Sequence, residues 1–349
     1  MTGWLRRHAM MLLGLAVSAV LLGLVFRNTD WAAMAAAFRA ANYWFVIAGT
    51  LVGFLGFVAR ALDWKYLLVP VGRFPARRLF APMAIGYLAN NVFPARLGEF
   101  VRAYAVGKRE GISKSSALAS IIVERIFDGL TLLLILAIVS IFFPFPLEVK
   151  LAGGVVAAVF FGLSASLALV TLKSQWAMRL VDLTLGRVSP AMAEEMKKRV
   201  MHFVAGLNIG RHLGSTALAF LACLFRWFFE ACIYFGVAAA MGLRVPPHGV
   251  LFVLVAVNIL TMIPSGPGYV GTVQAACLLS LGVFGVGKSE AVAFSLLLHA
   301  AIYFPITFAG LACLMGSHLR LGSLRQAGAV EQVQPQMNTD GHRWAGPEA

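Results

Sequence analysis

Long apolar runs parted by short polar segments set the frame of this chain. Residues 9–26, 43–62, 129–144 (extended by the residues before them), 149–172, 215–241 and 291–315 each read as a membrane-spanning helix. Crossing the hydrocarbon core takes about 20 apolar residues at the helical rise. Two other apolar stretches are too short for that. Residues 79–93 contain Pro82 and close on Asn90, Asn91 and Pro94, while residues 251–263 run into Pro264-Ser265-Gly266-Pro267-Gly268 before 274–284 resumes. Proline lacks the backbone donor and disfavours helix in the residue before it. Both stretches are therefore predicted to be broken or re-entrant, with Pro94, Gly98, Pro264, Gly266, Gly268 and Gly271 marking the breaks.

The pattern predicts an all-α integral membrane protein of about six transmembrane helices plus two re-entrant or broken helical elements. Counted through, both termini fall on the cytoplasmic side of a cell membrane, and the two broken elements enter from opposite faces. Each half then reads span, span, broken hairpin, span, and an odd number of crossings turns the second half over. This is an inverted repeat over about 9–146 and 149–316, and Pro94 precedes Gly98 by four residues as Pro264 precedes Gly268. Repeats of that kind put a transporter's site near the membrane midplane. Residues 32–41 read as a surface helix, and 43–62 carries Gly49 and Gly53 on one face, with Arg60 and Asp63 placed to snorkel at its end. Residues 173–214 form a basic amphipathic loop, in which Lys173, Arg179, Lys197, Lys198 and Arg199 alternate with Trp176 and Leu183, set to lie on the cytoplasmic surface. The transmembrane domain covers 1–325, and the polar tail, 326–349, is expected to be disordered.

Composition agrees. Of 349 residues 60% are hydrophobic and 13% charged, against about 45–50% and 25% in soluble domains. The net charge of +14 does not point to nucleic acid, because the basic residues flank the apolar runs as the positive-inside rule requires. Arg6 and Arg7 ahead of the first run resemble a signal peptide, but the later spans favour an uncleaved first helix. The four cysteines lie in apolar runs without CxxC spacing, so neither a metal nor a disulfide framework is expected, and no cofactor is implied.

Candidate chemistry concentrates in residues 90–128. Ionisable groups at membrane depth are costly and usually face a wet cavity or a pathway. Arg96, Glu99 and Arg102 recur at threes, so on a helix they share a face, and arginine forks suit a phosphate headgroup. With Arg125, Asn90 and Asn91 they are the predicted headgroup contacts; the bland alternative is an internal salt bridge fixing the hairpin. Glu124 and Asp128, four apart at the mouth of the third span, would balance those arginines or couple a proton. Arg226 and Glu230 are an i,i+4 pair in the fifth span, where mutual neutralisation explains them as well as substrate contact does. His299 reads as a hydrogen-bonded histidine rather than a relay. Gly266 to Gly271 fits GxGxxG, but no strand–helix alternation surrounds it and a dinucleotide site is rejected. The HExxH, GxSxG, P-loop and DxD signatures are absent from the sequence.

At these residues the chain resembles the flippase-like family, also called the lysylphosphatidylglycerol synthase transmembrane region. The resemblance runs through Pro94-Ala95-Arg96-Leu97-Gly98-Glu99-Phe100-Val101-Arg102, then Ser116 to Ser120 and Glu124-Arg125-Ile126-Phe127-Asp128, then Pro264 to Gly271. It implies a protein that moves or handles a lipid, or a polyprenyl-phosphate carrier, between leaflets. Membrane lipids, anionic or phosphate-bearing, are the implied partners, with a lipid- or glycan-synthesis enzyme as a second. Looser relatives belong to hopanoid-lipid gene clusters and to archaeal or bacterial glycan assembly. The soluble lysyl-transferase domain of some relatives has no counterpart here, so transport is implied rather than synthesis. The family often carries a glutamate after the second break, where this chain has Gln274. A membrane-embedded glycolipid transferase and a non-catalytic scaffold are the rival readings.

Overall fold

The structure, a computed structural model, describes residues 2–93, 97–185, 189–263 and 265–317. Pro94, Arg96, Pro264 and the tail 326–349 lie outside the described residues. The helices in chain order are α1 (Thr2–Phe26), α2 (Trp31–Ala40), α3 (Tyr43–Leu67), α4 (Ala76–Val92), α5 (Gly98–Glu110), α6 (Lys114–Phe142) and α7 (Leu147–Leu172). They continue with α8 (Ser174–Thr184), α9 (Pro190–Leu207), α10 (Leu213–Ala240), α11 (Pro247–Leu260), α12 (Thr272–Gly282) and α13 (Lys288–Met315). The described residues form no strand. Five helices, α3, α6, α7, α10 and α13, are long and apolar enough to cross a membrane. The number is six if Leu12–Phe26 and Trp31–Ala40, bent by 88°, are counted as one span. That bend is set by Asp30, whose carboxylate caps α2 by accepting from the Ala32 and Ala33 amides at 2.9 and 3.0 Å.

The centre of the bundle is the pair α3–α10. The two helices run antiparallel at backbone contact because small residues line the seam. A Cβ on Gly49 would sit 2.8 Å from the Cys232 carbonyl oxygen, and one on Gly56 2.9 Å from that of Arg226. Without a hydrophobic force between helices in lipid, such close packing supplies much of the association. Gly56→Ala should therefore cost about 1–3 kcal/mol, read as a lower unfolding temperature in detergent. Unchanged stability would mean the seam is looser than drawn.

Around the pair stand two helix–break–helix hairpins, α4–α5 and α11–α12. The Asn42 amide bonds the Ala240 carbonyl at 2.8 Å, so α3 begins where α10 ends. Because α4 follows the far end of α3 and α11 follows the near end of α10, the two hairpins open towards opposite ends of the bundle. Neighbour relations recur between the halves: α4 packs on α5 as α11 on α12, α5 on α6 as α12 on α13, and α4 on α13 as α11 on α6. The expected re-entrant stretches are thus complete hairpins, each with a second arm. The third span is also longer than predicted, and Glu124 to Asp128 lie within it rather than at its mouth.

The basic segment after α7 is helical. It folds as α8 and α9, and α9 docks along α6, with the Ser116 hydroxyl donating to the His202 carbonyl at 2.7 Å. Lys197 ties the two short helices together, 2.5 Å from Asp182 and 2.9 Å from Glu194. Those hydrogen bonds, to Asp182 first, hold its ammonium above the usual lysine range.

Candidate functional site

Where α3, α5, α6 and α10 converge, four arginines surround two carboxylates. Glu124 and Asp128 lie four apart on one face of α6 and so point the same way. Glu124 is sealed from solvent. Its Oε1 accepts from Arg60 Nη1 at 3.1 Å and Arg125 Nη2 at 3.2 Å, and its Oε2 lies 2.6 Å from Arg102 Nη2. Asp128 pairs with Arg226 through Oδ1, and with Arg125 Nη1 at 3.3 Å and Arg60 Nη1 at 3.8 Å through Oδ2. The Tyr87 hydroxyl of α4 accepts from Arg60 and, at 3.1 Å, from Arg125. Ions in a low-dielectric interior persist when this many partners surround each.

The cluster has a closed side and an open side. On the closed side the Arg102 guanidinium stacks 3.7 Å from the Trp64 ring centroid, and the Trp64 indole donates to Ser120 Oγ at 3.0 Å. Asp63, fully buried, has no hydrogen-bond partner for either oxygen among the described residues. On the open side lies a cavity of about 180 Å³. Arg125 reaches it with its side chain 29% exposed, while Arg102 is 3% exposed and does not line it. Arg60, Arg226 and Tyr87 also line it, the two arginines as buried side chains, and Glu99, Glu230, Asn258 and His299 add to its polar wall. Glu99 Oε2 has no hydrogen-bond partner among the described residues, and the Asn258 amide donates to Glu230 Oε1 at 3.3 Å.

The roof of the cavity is made by the tips of both hairpins. In the first, Asn90 Oδ1 accepts the Gly98 amide at 2.8 Å across the break, and Gly98 fits because a side chain there would collide with the Gly86 carbonyl. In the second, the turn Pro267–Tyr269 carries Gly268 at φ 66° and leads to Gly271 at φ 93°, backbone that glycine adopts without strain. The Gly271 amide donates to Gln274 Oε1 at 2.7 Å, and Ser18 Oγ of α1 accepts the Gly266 amide at 2.8 Å. Helix α13 holds both tips. His299 bridges Gln274 at 3.0 Å and the Gly268 carbonyl at 2.8 Å, and Asn91 Nδ2 donates to Thr307 Oγ1 at 2.8 Å. The Tyr303 hydroxyl donates to the Asn91 carbonyl at 3.4 Å.

The predicted headgroup residues thus divide. Asn90, Asn91, Glu99 and Arg125 line the cavity, Arg102 is walled off from it, and Arg96 is outside the described residues. The shared face expected of Glu99 and Arg102 does not hold, since one looks into the cavity and the other onto Trp64. Arg226 and Glu230 form the expected i,i+4 ion pair at 4.0 Å, but Arg226 holds Asp128 more closely, so Glu230 is its second partner. Arg60 and Asp63 do not snorkel but are buried. Sequence reasoning missed them as site residues although a signal existed. They continue the stripe Gly49, Gly53, Gly56 at helical spacing, which puts them on the packed face of α3. His299 is hydrogen-bonded, as expected. Among the described residues no three His, Cys, Asp or Glu converge as a metal site would need, and the cysteines are free.

Comparison with known proteins places this geometry in context. The family described as the lysylphosphatidylglycerol synthase TM region matches residues 11–310. A UPF0104 membrane protein of Methanothermobacter thermautotrophicus is 26% identical over 258 residues, 70% of this chain and 75% of that protein. A second UPF0104 membrane protein, from Methanocaldococcus jannaschii, is 25% identical over 63% of this chain and 90% of its own length. Glycosyltransferase AglD of Haloferax volcanii is 32% identical over 127 residues, 36% of this chain but 20% of that protein. No solved structure matches the chain.

Proposed function

Because the chain belongs to the family of the lysylphosphatidylglycerol synthase transmembrane region, we propose that it is a flippase. Its cargo is a membrane lipid, or a polyprenyl-phosphate-linked lipid, with an anionic headgroup. The observation that carries the reading is the cavity itself: a partly exposed arginine, Arg125, at the floor of a polar chamber roofed by hairpins that open to opposite ends of the bundle. A headgroup entering the chamber leaves water for guanidinium and amide donors, while its chains stay in lipid beside the apolar helices. Release of one tip and closure of the other would expose the chamber to each leaflet in turn, in the manner of an inverted repeat with halves 9–146 and 149–316. The basic residues at the ends of α4 and α5 suit a cytoplasmic face in a cell membrane, with both termini on that side.

The test is leaflet translocation of fluorescent anionic and zwitterionic lipids in proteoliposomes, comparing wild type with Glu99→Gln. Glu99 lines the chamber with an unengaged oxygen. The variant should fold normally and lose anionic-lipid translocation. Equal transport by both proteins would remove Glu99 from the mechanism, and no transport of any lipid or isoprenoid phosphate by wild type would remove the flippase reading. The similarity to a glycosyltransferase supports a second reading, in which the chamber presents a carrier lipid to glycan transfer. Product formed by purified protein from a defined sugar donor would establish it.

A further inference from the structure

A second basic site lies at the far end of the first hairpin, and the cavity does not reach it. The ends of α4, α5 and α13 leave a groove of about 490 Å³ between them. Its walls are apolar, with Pro82 and Ile85 from α4, Ala105 from α5 and Cys313 from α13, and its rim carries Lys108 and Arg109. We infer that this groove seats an anionic phospholipid, its phosphate between Lys108 and Arg109 and the start of an acyl chain along Ala81 and Cys313, the partly exposed apolar side chains of its lining.

Two observations carry this. First, the rim carries more positive charge than its one carboxylate offsets. Arg109 meets its sequence neighbour Glu110 at 3.5 Å, and that same carboxylate also takes Arg78 at 3.6 Å. Lys108 forms no ion pair among the described residues. Arg78 and Arg109 thus share one carboxylate while Lys108 has none, and both rim side chains are exposed. Second, a purely soluble anion would have no use for the apolar lining that adjoins this charge, where Ala81 and Cys313 are partly exposed. A phospholipid has both chemistries at that spacing.

The placement gives the seat a consequence. From Lys108 to Glu99 the rigid helix α5 covers about 14 Å at the helical rise, and α4 runs back from Pro82 to Asn90 and Asn91. A lipid bridging α4, α5 and α13 therefore clasps the base of the hairpin whose tip roofs the cavity. The inference does not depend on the cargo, and its test reads binding rather than transport.

Cys313 supplies the probe. Cys223 and Cys277 are buried, so Cys232→Ser leaves Cys313 as the accessible thiol. The full chain with that change is placed in nanodiscs of phosphatidylcholine alone or with added phosphatidylglycerol, and the rate of maleimide labelling is measured. Phosphatidylglycerol should slow labelling. In Lys108→Gln/Arg109→Gln, whose changes are at exposed positions, the concentration needed should rise roughly 20- to 30-fold, since each basic residue near an anionic surface contributes about a fivefold factor. Equal labelling in both discs would overturn the inference, as would protection that survives the double change. Inorganic phosphate protecting as well in phosphatidylcholine discs would identify a soluble-anion site instead. A chain ended after Ser317 that labels fast in every disc would identify the chain's own C-terminal segment as the occupant and also overturn it.

Discussion

Replacing Glu124 by glutamine is expected to destabilise the protein by roughly 3–5 kcal/mol, the cost of leaving a buried ion without its partner. Three guanidiniums from three helices converge on this carboxylate: Arg60 of α3 at 3.1 Å, Arg102 of α5 at 2.6 Å and Arg125 of α6 itself at 3.2 Å. The glutamine keeps the shape and one acceptor oxygen, but its NH₂ turns a donor towards an arginine, and the negative charge is gone. Arg60 and Arg125 could then share only Asp128, which Arg226 already holds. Arg102 would keep the Trp64 face and no described carboxylate within ion-pair distance. Glu230→Gln is the control. That side chain is 22% exposed and 4.0 Å from Arg226, so its loss should cost about 1 kcal/mol or less. Thermal unfolding of the purified proteins in one detergent separates the two. A Glu124→Gln protein as stable as wild type would mean that the cluster is hydrated and that its ion pairs do not hold the helices together.

The spans and breaks were legible in the chain because lipid imposes length and composition on whatever crosses it. What apolarity does not report is which helix is central. Helix α7 has the highest mean hydropathy of the spans, 2.3, yet 6% of its most apolar window is buried, against 44% for α3. In a membrane the most apolar surface meets lipid, and the packed faces carry the small and polar residues instead. The same inversion hid Arg60 and Asp63. Near the end of an apolar run they read as interfacial, whereas the glycine stripe they extend marks the tightest seam in the bundle. Residues 90–128 supply Arg102, Glu124, Arg125 and Asp128 of the cluster while Arg60 and Arg226 come from outside them, and local spacing could not tell which side of α5 faces a neighbour. The partners that decide it, Trp64 and Glu124, come from other helices, α3 and α6.

Arg125 and Arg102 should therefore fail differently, although the sequence offered both as headgroup ligands. In Arg125→Gln each carboxylate keeps a partner: Glu124 retains Arg60 and Arg102, and Asp128 retains Arg226. Folding should survive to within about 1–2 kcal/mol. What disappears is the one partly exposed guanidinium among the four described in the cluster, and with it a charged hydrogen bond to the cargo of about 1.5–3 kcal/mol, a roughly ten- to hundredfold loss of translocation. Arg102→Gln removes no group from the cavity wall. It strips Glu124 Oε2 of its partner at 2.6 Å and leaves the Trp64 ring uncovered, so stability should fall by about 3–5 kcal/mol. Any Arg102→Gln protein recovered intact should carry lipid at a rate closer to wild type than the Arg125 variant does. Unfolding temperature and translocation rate, measured on the same preparations, decide the matter. A stable Arg102 variant that cannot transport, beside an Arg125 variant that can, would place the headgroup on the Trp64 side of the cluster and refute the chamber as its path.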